Sequence, residues 1–551
     1  MLRATRPPAL DYLRHGDWSE RTLGSYVREA ALTSPGQLAL VEAGARLTYG
    51  ELAGQIGAVS GGLARAGVAA GDVVCALLPN WWEAMVGMQA VLAAGAVVNP
   101  VVPIYRDHEL RFILRQSAPS AVIIPHRFRG FDYVAMMERL AAEIAEPPVV
   151  IVVRPLGPLP PGFVSWDQLT APGWPGITGQ AGPPGRARPS RAEPAASDIA
   201  LLLYTSGTTA DPKGVLHSHQ TLEYENRSII SLLGLTPADT IFMPSPVTHI
   251  TGFLYGIVMP AMLGVACVML DIWDPASARE LIESEQCRFT LAATPFLHGL
   301  VQQYESAGTR SSLRIFPCGG ADVPPDLVRR ARKEMGTQVV RVYGSSEFPT
   351  FCCGGPDDDE TVAADSDGRP IGPVRYRLDN PVDGIGELLI SGPEQFLGYL
   401  DPALNLPAFT GDGYFRTGDL ASIGENQAIT IRGRLKDVIN RGGEKISARE
   451  VEDLLFEHPA VREVAVVGMP DPVLAERVSA YVVLEPGGAL TLADVSSYLQ
   501  ARRIARQKIP EQLTVVGRLP KTASGKVQKF LLRAGWPETG PIRRSEGETR
   551  R

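Results

Sequence analysis

From residue 20 to about 165, apolar runs of strand length alternate with stretches of helical periodicity. Residues 21–35, 47–67 and 81–95 read as helices, and Thr48 with Glu51 has the spacing of a capping box. Residues 38–44, 72–79 and 96–101 are short and rich in Val, Leu and Ala, which predicts strands. Strands alternating with helices predict a parallel sheet covered on both faces. A stretch rich in Gly, Pro and Ala, about 167–197, predicts an exposed loop and not a domain boundary, because the alternation resumes at once with the apolar run 199–205. A second αβ stretch follows to about 350, then a Gly-punctuated, strand-rich segment over 385–433. Beyond it the pattern changes to strands at 437–440, 461–469 and 477–486, interleaved with helices at 447–458 and 491–504. These helices open with the capping-box pairs Ser447 with Glu450 and Thr491 with Asp494. The residues after 535 read as a disordered polar tail.

Composition narrows the classes. With 551 residues, 45% hydrophobic and 21% charged, the chain carries the apolar content of a packed protein of several domains and is not intrinsically disordered. The net charge of −7 supplies no basic field, so no nucleic-acid partner is expected. Six cysteines without a CxxC motif or zinc-ligand spacing read as free thiols in a reducing cytosol. The first twenty residues contain no apolar signal core, which predicts a cytoplasmic protein. One uncharged run, 253–270, is long enough to suggest a membrane span, but two Gly and a Pro within it predict a buried helix leading into a buried strand. Lysine is scarce, 8 against 45 arginines, so each lysine is a candidate for a specific role.

The segment Leu-Tyr-Thr-Ser-Gly-Thr-Thr-Ala-Asp-Pro-Lys-Gly-Val, 203–215, follows an apolar strand. Hydroxyls, glycines and one cation at this density describe either a Ser/Thr-rich surface turn or a loop that wraps phosphates with N–H groups, hydroxyls and an ammonium. It is not a Walker A loop, and Gly525-Lys526 fails that pattern too, with Val after it and Pro520 in place of the first Gly.

The segment resembles the signature of the adenylate-forming superfamily of acyl- and aryl-CoA synthetases, luciferases and peptide-synthetase adenylation domains. Further motifs of that family follow in order: Ser-Pro-Val-Thr-His-Ile-Thr-Gly-Phe (245–253), Cys-Gly-Gly-Ala-Asp (318–322), Tyr-Gly-Ser-Ser-Glu (343–347), Gly-Glu-Leu (386–388), Tyr-Phe-Arg-Thr-Gly-Asp-Leu (414–420), Gly-Arg-Leu-Lys-Asp (433–437) and Pro-Lys-Thr-Ala-Ser-Gly-Lys (520–526). The likeness covers roughly 20–535. It implies an α/β fold with a large, multi-subdomain αβ N-terminal domain, 1–434, a small mobile α+β C-terminal domain, 435–535, and a tail, 536–551, with the active site between the domains.

The resemblance implies that Thr205, Ser206, Gly207, Thr208, Thr209 and Lys213 hold ATP phosphates, that Ser346 reaches the AMP phosphate and that Glu347 holds Mg²⁺. Gly319, Gly320 and Ala321 would form a small-residue wall for adenine, with Tyr343 stacking on the base beside Gly344. Asp419 and Arg434 would take the ribose, since a two-oxygen acceptor suits two hydroxyls. Lys526 would meet the carboxylate and α-phosphate as charge builds, Lys436 would be the pivot of the domain rotation, and Gly442 and Gly443 would line the thiol's path. His249 would stand between acyl and nucleotide sites, and His249, Thr251, Phe253, Phe348 and Pro349 would line an apolar acyl pocket. The family's phosphate loop carries Gly where this chain has Ala210, which puts ATP affinity in question.

The implied activity is ATP-dependent ligation of a carboxylic acid to coenzyme A through an acyl-adenylate, with likeness to cyclohexanecarboxylate- and medium-chain acyl-CoA ligases and an apolar, alicyclic or medium-chain acid as substrate. The alternative acceptor is a carrier-protein phosphopantetheine. A nucleotide-sensing pseudoenzyme is disfavoured because Glu347, Asp419, Arg434 and Lys526 are all present. The partners expected are the acid, ATP, coenzyme A and a second copy of the chain in a homodimer, with no membrane span.

Overall fold

Strands with no polar face must be covered on both sides, and the apolar runs of the first 165 residues meet this requirement. The computed structural model describes residues 10–176, 194–205, 212–442, 444–522 and 525–535. In it these runs join an eight-stranded sheet in the order Gly398–Tyr399, Lys213–Ser218, Ile199–Thr205, Val97–Pro100, Val73–Ala76, Ala121–Pro125, Val149–Val153, Phe163–Ser165. From Ile199–Thr205 onward the neighbours are parallel, whereas Lys213–Ser218 is antiparallel to both strands beside it. Alternate residues feed two cores. Val74, Ala76 and Ile123 pack with the helices Tyr49–Arg65 and Trp82–Ala93, while Val73, Cys75 and Val122 pack with Asp107–Ser117 and Tyr133–Ala141.

A second sheet places Ile241–Met243, Cys267–Met269, Leu38–Glu42 and Ala45–Thr48 side by side. Parallel bridges through Phe289 connect Ile241 to Ile315, the start of the strand Ile315–Gly319. That strand lies parallel to Gln338–Tyr343. The run 253–270 folds as expected for a buried segment: a π-helical turn, Phe253–Val258, an α-helix, Met259–Leu263, a left-handed Gly264 at φ +70, and the strand Cys267–Met269. No helix among the described residues is long and apolar enough to cross a membrane. All six cysteines are free and buried.

By chain contacts the molecule divides into two units. The first holds residues 1–377, 389–417 and 424–429, the second 378–388, 418–423 and 430–551. In the second, a five-stranded sheet includes Val438–Arg441, Glu444–Ser447, Val461–Asp471, Ala475–Leu484 and Gln512–Val515 over a core with Val451, Leu455 and Val495. The chain is thus a mixed α/β protein with a large N-terminal and a small C-terminal unit.

Both halves of the capping box form at Thr48 and Glu51 and at Thr491 and Asp494. At Ser447 only one half forms. Ser447 accepts from the Glu450 amide, but the Glu450 carboxylate is held by Lys508 Nζ at 2.7 Å, so it does not return to the cap. The residues first assigned to the Gly/Pro-rich loop include the end of a helix, Trp166–Thr170, closed by its own capping box of Ser165 and Gln168, and residues 177–193 lie outside the described ones.

Candidate active site

Thr205 ends its strand and is paired in register with Lys213, whose carbonyl its hydroxyl approaches at 3.5 Å. The ladder therefore sets both ends of the candidate phosphate loop, while Ser206, Gly207, Thr208, Thr209 and Ala210 lie outside the described residues. Lys213 Nζ lies 5.2 Å from the ring centroid of Tyr399, and the Tyr399 hydroxyl donates to Glu347 Oε1 at 2.7 Å. One aromatic side chain thus connects the loop's lysine to the candidate metal carboxylate. Burial and the adjacent Glu347 carboxylate push the Tyr399 phenol upward, so it remains a donor.

Ser346 is held from behind. His217 Nε2 is 2.7 Å from the Ser346 carbonyl and Nδ1 is 3.0 Å from Thr221 Oγ1. A carbonyl can only accept, so Nε2 carries the proton. Complete burial pushes the imidazole down to about 4, which keeps it neutral at pH 7. Neither His217 nor Tyr399 is distinguishable in the sequence from an ordinary core residue in an apolar strand.

Gly319 and Tyr343 end neighbouring parallel strands, with Gly319 in register with Val342. A Cβ on Gly319 would lie 2.2 Å from the Val342 carbonyl oxygen, and one on Gly344 would lie 1.9 Å from the Pro349 carbonyl oxygen. Gly320 adopts φ +76. Side chains are excluded at these points, so bare peptide groups stand at the carboxyl ends of the strands, where α/β sheets take their ligands. Ala321 and Tyr343 are half-buried beside them, and the Tyr343 ring meets Phe351 edge-on with centroids 6.5 Å apart. The residues expected to form the adenine wall therefore lie near one another at the ends of adjacent strands.

His249 precedes the short helix Ile250–Gly252 and is half-buried, as are Thr251 and Pro349, whereas Phe253 and Phe348 are fully buried. The segments 249–255 and 348–350 meet through side chains, because the Tyr255 hydroxyl lies 2.8 Å from Thr350 Oγ1. Both hydroxyls reach Glu225 Oε1, Thr350 at 2.9 Å. Glu225 projects from the helix His219–Leu232 and was not legible as a site residue.

In the second unit, Arg434 Nε forms an ion pair with Asp419 Oδ1 at 2.9 Å, and Asp419 is buried. The two candidate ribose partners are thus together. Lys436 occupies a single 3₁₀ turn, Leu435–Asp437, where burial, then the Arg434 charge, pushes its amine down to about 8. Gly442 turns the chain at φ +59 after Val438–Arg441, and its amide donates to the Leu474 carbonyl at 2.7 Å, while Gly443 lies outside the described residues. Lys526 is half-buried, and its backbone is fixed by bonds with Thr522 at 2.8 and 3.1 Å.

A model of the family described as AMP-binding enzyme matches residues 27–400, and one described as AMP-binding enzyme C-terminal domain matches 450–526. The chain belongs to the AMP-binding enzyme family. This AMP-binding enzyme is 34% identical over 532 residues to a medium-chain fatty-acid–CoA ligase of Escherichia coli K12, covering 95% of this chain and 92% of that one. It is 34% identical over 535 residues to a salicylyl-CoA synthase / salicylate adenylyltransferase of a Streptomyces species, covering 95% of each. Among solved structures it superposes on ATP-bound MatB from Rhodopseudomonas palustris with a TM-score of 0.81 at 26% identity, covering 94% of this chain and 99% of that one. An AMP-binding enzyme uses ATP, and the donor set fits a cation that arrives with the nucleotide. No cluster of three or more potential metal ligands exists among the described residues, and Mg²⁺ coordinated mainly by phosphates and water needs only one or two carboxylates, a role open to Glu347.

Proposed function

We propose that this AMP-binding enzyme is an ATP-dependent acyl-CoA ligase acting on a monocarboxylic acid with a ring or medium-chain body. The carboxylate oxygen attacks the α-phosphorus of ATP, forming the acyl-adenylate and expelling pyrophosphate. The sulfur of coenzyme A then bonds to the acyl carbon, AMP leaves with the electron pair of the broken C–O bond, and the thiol proton passes to solvent. A carboxylate is a poor electrophile, and the first step converts it into one with a good leaving group.

The observation that carries this reading is the linked set Lys213, Tyr399, Glu347 and His217-held Ser346, at the sheet end from which the candidate phosphate loop departs. Lys213 places positive charge toward the loop, Tyr399 orients the Glu347 carboxylate, and His217 fixes the Ser346 backbone so that its hydroxyl is presented without reorganisation. Mg²⁺, when bound with ATP, would offset phosphate charge, with Glu347 as its protein ligand. Asp419 and Arg434 take the ribose, Lys526 meets the carboxylate and α-phosphate, and Gly442 and Gly443 flank the approach of the thiol. His249, Thr251 and Pro349 border the space for the acid with the buried Phe253 and Phe348 packed behind them, and the 34% identity to acyl- and aryl-CoA ligases over 95% of the chain supports both the chemistry and the acid class. Mg²⁺, coenzyme A, a homodimeric assembly and a cytoplasmic location belong to the same proposal.

Pyrophosphate release and thioester formation, measured with purified protein, Mg·ATP, coenzyme A and a panel of carboxylic acids, test it. Acid-dependent pyrophosphate release with thioester formed from coenzyme A alone is the expected result. Pyrophosphate release without thioester would reassign the acceptor, and release with no acid at all would overturn the reading.

A further inference from the structure

Behind the two candidate acyl walls lies a group of buried polar atoms without partners. Glu225 is 2% exposed, and its Oε1 is taken by Tyr255 and Thr350 while Oε2 has no hydrogen-bond partner. Glu394, also 2% exposed, has an unpartnered Oε2, and Gln395, 3% exposed, has neither amide atom bonded. Glu394 Oε2 and Phe348 Cζ both lie within 3.3 Å of the point where a Cβ on Gly392 would sit, so this carboxyl neighbours the Phe348 ring. Thr350 is two residues beyond Phe348, and Tyr255 two beyond Phe253 within the π-helical turn, a geometry found mostly at functional positions.

Buried polar atoms left unbonded are costly, and here Glu394 lies close enough to Glu225 for the two carboxyls to act on each other, with Gln395 next in the chain. Burial pushes Glu225 up to about 7, and burial with Glu225 nearby pushes Glu394 well above the usual carboxylate range. The three side chains therefore present acceptors and donors with little net charge, in a setting suited to a polar, uncharged group.

We propose that Glu225, Glu394 and Gln395 form the polar end of the acyl site and select a carboxylic acid whose body carries a hydrogen-bond donor, a hydroxyl or amino group, remote from the reacting carboxylate. This rests on the acid-activating reading above and sharpens it: the body is apolar along the wall backed by Phe253 and Phe348 and polar at its tip. A site built to bond a substrate hydroxyl rejects the analogue lacking it far more strongly than an apolar pocket rejects an added one, because its own groups are left unpaired.

The test compares acids in matched pairs on the full-length enzyme: benzoate with hydroxy- and aminobenzoates, cyclohexanecarboxylate with 4-hydroxycyclohexanecarboxylate, and hexanoate with 6-hydroxyhexanoate. Pyrophosphate release should favour a substituted member by at least about tenfold in kcat/KM. Glu225→Gln, which preserves shape, and Gln395→Leu should each shrink that ratio severalfold, read as the ratio within each variant so that any general loss of rate cancels. If unsubstituted acids react as well as their partners, or the ratio is the same in both variants, the inference is overturned while the ligase reading stands, and the buried atoms are hydrated internally. If no acid releases pyrophosphate, both fall. Should a variant not fold, as read from its melting curve, the wild-type ratio alone decides.

Discussion

His217 is held neutral by its burial. Its ordinary pKa is near 6.5 and burial takes it to about 4 in the folded protein, so below pH 6.5 the unfolded chain binds a proton that the folded chain refuses. Stability is therefore complete above pH 6.5 and falls as pH drops toward 4, by about 3 kcal/mol for this residue. His219, also lowered to about 4 by burial, accepts from the Leu23 amide through Nδ1 and adds to the same window. Urea unfolding at pH 7, 5.5 and 4.5 should show this loss, and His217→Gln should abolish about half of it; an unchanged pH dependence in the variant would mean that His217 is already charged in the fold. Residue by residue, Lys213 stood out in a loop dense in hydroxyls and glycines, whereas Ser346, Glu347 and Gly319 became candidates only through the motifs that resemble the family's. His217, Tyr399 and Glu225 were not legible, since a buried polar side chain inside an apolar strand or helix looks the same whether it serves the core or a site.

Among the elements, the 3₁₀ turn Leu435–Asp437 is the one on which the two-step chemistry makes a specific demand. Lys436→Pro fixes φ near −65° and pushes Leu435 out of the helical region it now occupies, so the backbone at this point loses alternatives. Acyl-adenylate formation is expected to stay within about tenfold of wild type, a barrier change of roughly 1.4 kcal/mol, while thioester formation drops much further. Separate measurement of pyrophosphate release and of thioester formed from supplied acyl-adenylate checks this, and a thioester step at wild-type speed would place the pivot elsewhere. The alternation of helices and strands was readable because each element carries its own period. The pairing of Lys213–Ser218 with Gly398–Tyr399, which brings Tyr399 to Lys213, was not, because partners so far apart in sequence leave no local trace. The failed half of the Ser447 box had the same cause, a competing Lys508 supplied by another element.

For the molecule as a whole, the proposed division of labour predicts that Lys526→Ala loses adenylate formation by orders of magnitude yet still converts supplied acyl-adenylate and coenzyme A, because the ammonium is needed only while charge builds at the α-phosphate. Equal loss in both half-reactions would remove Lys526 from that role. That the second unit draws residues 378–388 and 418–423 from earlier in the chain was not legible, because the composition does not change there. Charge usage has a further consequence. Of the eight lysines, Lys508, Lys521 and Lys529 are partly buried and tied to carboxylates, Lys333 is paired with Glu334 but exposed, Lys213 lies against an aromatic ring, Lys526 is half-buried, and Lys436 and Lys445 are exposed. With arginine bearing nearly all the remaining positive charge, amine-directed reagents meet few background targets, and the exposed Lys333 and Lys445 serve as internal references. Mass-spectrometric footprinting of lysine reactivity, with and without nucleotide, therefore follows three candidate active-site ammonium groups directly, with no tag or engineered label.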